Sequence, residues 1–409
     1  MADPSWCIRL HKEGKRQDAE RRQSLVGKAL IVSLLRRIVT EYIWSSPWRW
    51  SKVVQRQDRK RDRKRERERR MANLTAAVVL LVAALNVLLL LFAVIVNSTA
   101  AKKVLSMQKK WFGAVMYMVQ SKDKVKAKNV PCASKTNLKD PKLKQKTLVF
   151  VRHGESVWNE VFNRGKGPGF VYRLVTSFFR ELHQLTFEDS LMIDSPLSSV
   201  GEKQGKDLFL FMEQRKLGSV MYNLAKAEEI FHKIKSGDID CKLISSNLRR
   251  AMATAAIGFR RRISKTKEKI QIVSYLQEIT RNVDAVSTAG KGKVQASLGG
   301  SLNEVETELL FDPRINTGSK PVSLTGSKRI ELFAQWLFNQ KESTIVAAGH
   351  SLYFKSFLNV YLPKSFDHVC KKKKMRNSAV IAFDIVQDSE GSVMILPDSL
   401  TTLYLGYCK

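Results

Sequence analysis

Cysteine is scarce in this sequence, which has five among 409 residues, with no C-x-x-C pair and no histidine at the spacing of zinc ligands. The five are widely separated: Cys7, Cys132, Cys241, Cys370 and Cys408. This scatter indicates neither a disulfide framework nor a metal site. Acidic residues are also few, 38 against 71 Lys and Arg, and the formal charge of +33 favours anionic partners such as phospholipid, nucleic acid or phosphorylated ligands.

One long apolar run interrupts this charged background. Residues 74–96 carry no charged side chain over 23 consecutive positions. A helix of that length, rising about 1.5 Å per residue, crosses a hydrocarbon core of roughly 30 Å. The run lies too far from residue 1, and is too long, for a signal peptide. We therefore predict a single transmembrane helix over 74–96.

The flanks of the run predict its orientation. Eleven Lys or Arg lie in residues 51–73, against four in residues 97–111. Because the more basic flank usually stays on the cytosolic side, we expect a cytosolic N-terminus. The protein is then a single-pass membrane protein whose C-terminal part lies in a lumen or outside the cell.

Residues 1–73 are predicted to form a basic cytosolic region that contacts anionic lipids. Nucleic acid is disfavoured as a partner, because no aromatic interleaving or nucleic-acid module accompanies the basic run. Residues 25–50 predict either a helix lying in the head-group layer or a small cytosolic helix packed on itself or on a partner. Residues 97–145 are Lys-rich and interrupted by Pro131 and Pro141, and they predict a linker.

From residue 146 to 409 short apolar runs alternate with helical patterns. The predicted strands are 147–151, 242–244, 271–273, 344–348 and 380–385, and helices are predicted from Ser199 to about Gln214 and from Thr325 to about Phe338. This alternation indicates an α/β fold with a largely parallel sheet. Residues 286–301, rich in Gly and Ser, predict a mobile surface loop.

Polar residues follow the predicted strands directly. Arg152 and His153 come after the first strand, and His350 comes after the fourth. In open α/β sheets ligands bind in a crevice at the carboxyl ends of the strands. We therefore expect these side chains to share one site.

Five motifs occur in order over residues 151–351: VRHGESVWN, DSPLSSVGEKQG, SSNLRRAMATA, SYLQEI and AAGHS. The series resembles the histidine phosphatase superfamily, in its phosphoglycerate-mutase-like branch, over residues 147–385. The resemblance implies a three-layer α/β/α sandwich with a mostly parallel sheet, so that 146–409 form a histidine phosphatase domain behind the transmembrane helix.

The resemblance also implies roles for six residues. His153 is the nucleophile that forms a phosphohistidine, and Glu278 is the proton donor. Phosphate-binding roles fall to Arg152, Asn159, Arg250 and His350. Arg249 competes with Arg250, and Glu304, Glu306 or Glu308 could replace Glu278. No metal ion or other cofactor is expected.

The sequence departs from the family at two places. His350 is followed by Ser351 where the family usually has glycine, and the stretch 164–194 does not resemble the lid of the glycolytic mutases. A mutase must exclude water from its phosphoenzyme. We therefore expect a membrane-anchored phosphomonoesterase acting on a phosphorylated small molecule or phosphoprotein. The alternatives are a phosphoglycerate-mutase-type phosphotransferase and a catalytically inactive scaffold or binding protein.

Overall fold

The computed structural model describes most of the chain beyond residue 97. The described ranges are 98–125, 136–165, 167–214, 224–302 and 307–408, with the isolated positions Val87, Leu88 and Leu91. The predicted basic region over 1–73, including 25–50, therefore lies outside the described residues. The predicted span over 74–96 also lies outside them apart from those three positions. Among the helices that are described, none has the length and apolar character needed to cross a membrane.

Eight strands form a single sheet in the described part of the chain. They are β1 (Lys144–Arg152), β2 (Cys241–Ser245), β3 (Ile270–Ile272), β4 (Phe311–Asp312), β5 (Thr344–Gly349), β6 (Val380–Gln387), β7 (Val393–Ile395) and β8 (Thr401–Tyr404). The strand order is β4-β3-β2-β5-β1-β6-β7, and β8 also pairs with β6. The first five in this order are parallel, whereas β6, β7 and β8 add antiparallel pairs. The expected α/β fold with a largely parallel sheet is confirmed.

The helices in the described residues are α1 (Ser98–Gln120), α2 (Val157–Asn163), α3 (Pro168–Leu185), α4 (Ser199–Glu213), α5 (Leu224–Ser236), α6 (Arg249–Gly258), α7 (Arg260–Thr266), α8 (Thr307–Leu310), α9 (Gly326–Phe338), α10 (Ser351–Tyr361) and α11 (Val369–Lys372). The two predicted helices correspond to α4 and α9. The hydroxyl of Ser198 caps α4 by accepting from the Gly201 amide at 3.1 Å. The cap lies one residue before the predicted start.

Both faces of the sheet are covered, which gives three layers. Along β1, Val149 and Val151 pack in one core, whereas Leu148 and Phe150 pack in another. This follows from the period of two in a strand, which sends successive side chains to opposite faces. Helices α4 to α7 line the first core, and α9 and α10 line the second. A strand buried on both faces reads as a continuous apolar run, as TLVFV does.

The predicted linker over 97–145 is not a linker between residues 98 and 120, because these form helix α1. Its buried face carries Val104, Met107, Ala114 and Tyr117. Ala114 packs in a small core with Ile193 and Val283. Most of the lysines of this segment lie outside that face, and their frequency hid its helical periodicity.

The segment 286–301 is not the free surface loop that its composition predicted. Gln295 is buried, and its side-chain amide donates to the Asn247 carbonyl at 3.0 Å and to the Ser287 hydroxyl at 2.9 Å. The same amide donates to the Asp194 carboxylate at 2.5 Å. These bonds fix the segment against the carboxyl end of the sheet.

Candidate active site

His153 lies directly after β1, at the carboxyl edge of the sheet. Its backbone amide donates to the Gly349 carbonyl at 3.0 Å, which ties it to the end of β5. Its ring Nδ1 lies 2.5 Å from the carbonyl oxygen of Gly154. We assign the ring proton to Nδ1, because a carbonyl only accepts. Nε2 then keeps a free lone pair, as a nucleophile requires.

His350 follows β5, and its ring centroid lies 5.1 Å from that of His153. Its Nε2 lies 2.9 Å from the Ser246 hydroxyl oxygen, at the end of β2. We assign the proton of this bond to the Ser246 hydroxyl, which can donate to Nε2 while it accepts from the Leu248 amide at 3.4 Å. The proton of His350 then sits on Nδ1, a buried atom with no hydrogen-bond partner among the described residues.

Burial lowers the pKa of both histidines well below the usual value, and neighbouring cations add to the effect. For His153 the charges are those of Arg250 and Arg152, and for His350 the largest is that of Arg250. His153 is 3% exposed and His350 is fully buried. Both rings are therefore neutral near neutral pH, so the nucleophilic form of His153 is the resting form.

Arg152 and Arg250 supply two cations to the histidines. Arg152 donates from Nη1 to the Met375 carbonyl. Arg250, in the first turn of α6, donates to the Asp284 carbonyl at 2.7 Å and forms an ion pair with the Asp284 carboxylate at 3.3 Å. The Nε atom of each arginine is buried without a partner in the part of the chain that the structure describes. Each guanidinium therefore keeps an unused donor.

Arg249, the competing residue, has a structural role. Its guanidinium donates to the carboxylate of Asp189 at 2.6 Å and to the backbone carbonyl of Asp194 at 2.8 Å. It also donates to the Ser190 carbonyl. The structure thus directs Arg250 to the histidines and Arg249 to the segment before α4.

Two glycines permit the close approach that shapes the loop after β1. A Cβ on Gly154 would lie 2.5 Å from the Gly201 carbonyl oxygen, and one on Gly201 would lie 1.9 Å from the Glu155 carbonyl oxygen. No side chain fits at either position without moving backbone. The Gly154 amide also donates to the Thr254 hydroxyl at 3.0 Å. This packing explains why R-H-G and S-V-G-E occur together.

Glu278 is buried at the amino end of α10. Its Oε1 accepts from the amides of Ile279 at 3.0 Å and Tyr353 at 2.9 Å, whereas Oε2 has only a 3.4 Å contact with the Leu352 amide. Oε2 is therefore the oxygen with room for a proton. The negative charge of Glu278 opposes the lowering of the Arg152 pKa by burial and adds to the raising of the Asp284 pKa by burial.

The remaining predicted residues show no described hydrogen bond to the histidine pair. Asn159 is in α2, and its side-chain oxygen accepts from Asn163 at 2.8 Å. None of its hydrogen bonds in the described structure reaches the histidine pair. Glu308 is exposed on α8, and Glu304 and Glu306 lie outside the described residues.

The sequence did not single out Ser246 and Asp284 as site residues. Ser246 carried a signal, since it follows β2 at the same edge as His153 and His350. Asp284 carried none, because it lies in a short turn, 283–285, whose position depends on tertiary packing. Burial raises the pKa of Asp284, and the Arg250 charge opposes that shift. Among the described residues, no group of three or more His, Cys, Asp or Glu is placed to hold a metal ion.

The sequence matches no family model and no curated protein. Solved structures with a similar fold include a mycobacterial hydrolase at 12% identity, covering 65% of this chain and 100% of that chain, with a TM-score of 0.32. A mycobacterial glucosyl-3-phosphoglycerate phosphatase is 14% identical over 64% of this chain and 99% of that chain, with a TM-score of 0.31. A phosphoserine phosphatase from Entamoeba histolytica is 16% identical over 61% of this chain and 94% of that chain, with a TM-score of 0.28.

Several solved structures similar to this chain are thus named phosphatases or hydrolases. At these TM-scores the likeness assigns no activity, and the function must be argued from the site. The fold and the site together define an α/β domain with a buried pair of neutral histidines and two arginines at the carboxyl edge of its sheet.

Proposed function

We propose that the domain is a metal-independent phosphomonoesterase of the histidine phosphatase type. The observation that carries the proposal is a set of three buried nitrogen atoms that have no partner within the described ranges: Arg152 Nε, Arg250 Nε and His350 Nδ1. Buried polar atoms are nearly always hydrogen-bonded in folded proteins. The non-bridging oxygens of one phosphoryl group would satisfy all three donors beside His153 Nε2.

In the proposed first step His153 Nε2 attacks phosphorus in line. A P–N bond forms, the bond from phosphorus to the ester oxygen breaks, and that oxygen leaves with a proton from Glu278 Oε2. Arg152, Arg250 and His350 donate to the phosphoryl oxygens, whose charge is spread in the transition state. The Nδ1 bond to Gly154 holds the ring orientation and stabilises the cation that forms on it.

In the proposed second step water attacks the phosphohistidine. The Glu278 carboxylate takes a proton from this water, the P–N bond breaks, and His153 regains its lone pair as inorganic phosphate leaves. Both steps use only side chains of this chain, so the reaction needs no metal ion or other cofactor.

Trapping with a radiolabelled phosphomonoester, quenched in alkaline detergent, tests the mechanism. We expect a label on the protein that survives alkali and is lost in acid, and we expect none on His153→Ala. His183→Ala is the matched control, because His183 is an exposed histidine of α3 and should keep the label. A folded wild-type protein that takes no label would favour the inactive scaffold or binding protein.

A second measurement separates the phosphatase from the phosphotransferase. Supplied with a bisphosphate and an acceptor alcohol, a phosphatase releases phosphate to water, whereas a phosphoglycerate-mutase-type enzyme places it on the acceptor. The substrate class, a phosphorylated small molecule or a phosphoprotein, is tested by a phosphate-release screen of sugar phosphates, inositol phosphates and phosphopeptides.

We further propose that residues 74–96 anchor the enzyme in a membrane, with the N-terminus cytosolic and the catalytic domain lumenal or extracellular. The support is the uncharged run of 23 residues and the basic bias of its N-terminal flank. Residues 1–73 would then contact anionic lipid head groups. Protease treatment of sealed membrane vesicles with their cytosolic face outward should remove the N-terminal region and spare the domain. The reverse pattern would overturn the orientation, and extraction by alkaline carbonate would overturn the anchor.

A further inference from the structure

A buried ion cluster joins the segment after α1 to the α/β domain. The Asp123 carboxylate accepts from Lys320 Nζ at 2.8 Å and from Arg329 Nη2 at 2.8 and 2.9 Å. The side chains of all three residues are fully buried. The Tyr117 hydroxyl, on α1, donates to the same carboxylate at 3.3 Å. Asp123 therefore lies between α1 and two cations of the domain.

Lys320 and Arg329 both bind backbone carbonyls next to Glu278, the proposed proton donor. Lys320 Nζ donates to the carbonyls of Glu278 at 2.5 Å and Thr280 at 2.8 Å. Arg329 donates to the Gln277 carbonyl and, at 3.4 Å, to that of Glu278. Every proton of the Lys320 ammonium group is thus used, and two of its three bonds end on this short segment.

The cluster depends on the charge of Asp123. Burial lowers the pKa of Lys320 to about 8, and Arg329 adds to the effect, whereas Asp123 and Glu278 oppose it. The buried charges of Lys320 and Arg329 repel each other, and the Asp123 carboxylate between them offsets that repulsion. Without Asp123 they would separate or Lys320 would lose its proton. Either change alters the bonds to the Glu278 backbone.

We propose that Asp123 is a positioning residue for Glu278, an inference that rests on the proposed phosphatase mechanism. The segment that precedes the α/β domain thereby completes the acid side of the site, although Asp123 itself does not touch the substrate. Its carboxylate fixes Lys320 and Arg329, which fix the carbonyls at 277–280. These in turn place the Glu278 carboxyl group against the amino end of α10.

The leaving group provides a readout that a general loss of structure would not change. Proton donation matters for glycerol phosphate, whose alkoxide is a poor leaving group, and hardly matters for para-nitrophenyl phosphate. In the full-length chain we expect Asp123→Asn to lower kcat/KM for glycerol phosphate roughly 10- to 100-fold, in line with the contribution of a general acid. The kcat/KM for para-nitrophenyl phosphate should stay nearly unchanged, because this ratio reports on formation of the phosphohistidine and not on its hydrolysis, in which Glu278 acts on both substrates alike.

Two further variants sharpen this comparison. Asp123→Glu should restore part of the lost rate, because it keeps the charge. Glu188→Gln is the matched control, since Glu188 bonds α1 through Ser106 at 2.6 Å on the exposed side, and both rates should stay at wild-type values. The ratio of the two substrates is independent of the folded fraction. Equal losses in kcat/KM on both substrates, or no loss, would overturn the inference.

Amide hydrogen exchange gives a test that does not depend on activity. The amides of Leu352 and Tyr353 donate to the Glu278 carboxylate, so they should exchange faster in Asp123→Asn and not in Glu188→Gln. Unchanged exchange would overturn the positioning role. A wild-type protein that hydrolyses neither of these substrates nor any phosphomonoester of the phosphate-release screen would overturn the phosphatase proposal, and the exchange rates would then decide the positioning role alone.

Discussion

The rings of His153 and His350 lie with their centroids 5.1 Å apart and their planes tilted by 56°. Each follows a parallel strand, β1 or β5, and the two strands are hydrogen-bonded neighbours in which Arg152 pairs with Gly349. Neighbouring strands of a parallel sheet bring the residues beyond their carboxyl ends together. The proximity of the two histidines is thus a direct consequence of strand order.

This pair predicts a loss of stability in acid. An unfolded histidine titrates near pH 6.5, whereas burial lowers the pKa of His350 in the folded protein well below that value. Below about pH 6.5 the unfolded chain therefore binds more protons than the folded chain, and the free energy of unfolding falls by about 1.4 kcal/mol per pH unit for each such histidine. Above about pH 6.5 the histidine is neutral in both the folded and the unfolded chain, so it causes no loss of unfolding free energy there.

Urea unfolding between about pH 7 and pH 5 measures this effect. Burial raises the pKa of carboxyl groups such as Asp194, which act in the opposite direction, so the comparison between variants is the test. His350→Gln should lose less stability in acid than wild type, whereas His183→Gln should behave as wild type. Identical acid sensitivity in all three proteins would contradict the prediction.

The two adjacent arginines predict opposite phenotypes. Arg250→Ala should lower kcat roughly 100- to 1,000-fold, because it removes a donor to the transferring phosphoryl group. Arg249→Ala should leave the buried carbonyls of Ser190 and Asp194 and the partly exposed Asp189 carboxylate without their donor, and cost about 1–3 kcal/mol of stability. Phosphatase assays and urea unfolding on both variants distinguish them. If Arg249→Ala abolished turnover at full stability, the assignment of the two residues would be reversed.

The contrast between these arginines shows where sequence reasoning succeeds. Strands β1, β2, β3, β5 and β6 could be predicted, because they are buried apolar runs, whereas β4, β7 and β8 were not. The proximity of His153 and His350 could also be predicted, because each follows such a run. The motif RRAMATA predicted one arginine beside the histidines. Which of the two guanidinium groups faces the histidines was decided by the partners Asp189 and Asp194, which lie far away in the sequence.

Other features could not be predicted because their cause is tertiary. Helix α1 was missed since its lysines mask an apolar face that is recognisable only when its partners Ile193 and Val283 are in place. Asp123 and Asp284 are single carboxylates in irregular segments, and only the fold shows which cations they meet. Local sequence patterns predict strands, helices and the residues at the carboxyl edge of the sheet. Buried ion pairs depend on long-range packing.

The close contact between Gly201 and the backbone of Glu155 predicts that adding one methyl group has a large effect. Gly201→Ala places a Cβ 1.9 Å from the Glu155 carbonyl oxygen, so the backbone next to the R-H-G loop must move. We expect a loss of about 1–3 kcal/mol, as for other overpacked sites, together with a fall in kcat. Gly113→Ala is the control: nothing lies within 4 Å of its added Cβ, and the helix should gain about 0.5–1 kcal/mol. A fully active Gly201→Ala protein would show that the contact does not shape the site.

The last prediction concerns where a stable fragment must begin. A fragment of residues 98–409 keeps α1 and Asp123, whereas one of residues 136–409 begins before β1 but lacks both. The shorter fragment leaves Lys320 and Arg329 buried without their carboxylate, which costs about 3–5 kcal/mol, and it exposes the apolar surface that Ala114 covers at Val283.

We therefore expect the shorter fragment to unfold at lower urea concentration and to lose activity on glycerol phosphate. Within that fragment Lys320→Met should recover part of the stability, because it removes one of two unpaired cations and keeps an apolar side chain of similar length. In residues 98–409 the same substitution should destabilise, since there it breaks a satisfied pair. A substitution with the same sign in both fragments would show that Asp123 does not balance these charges.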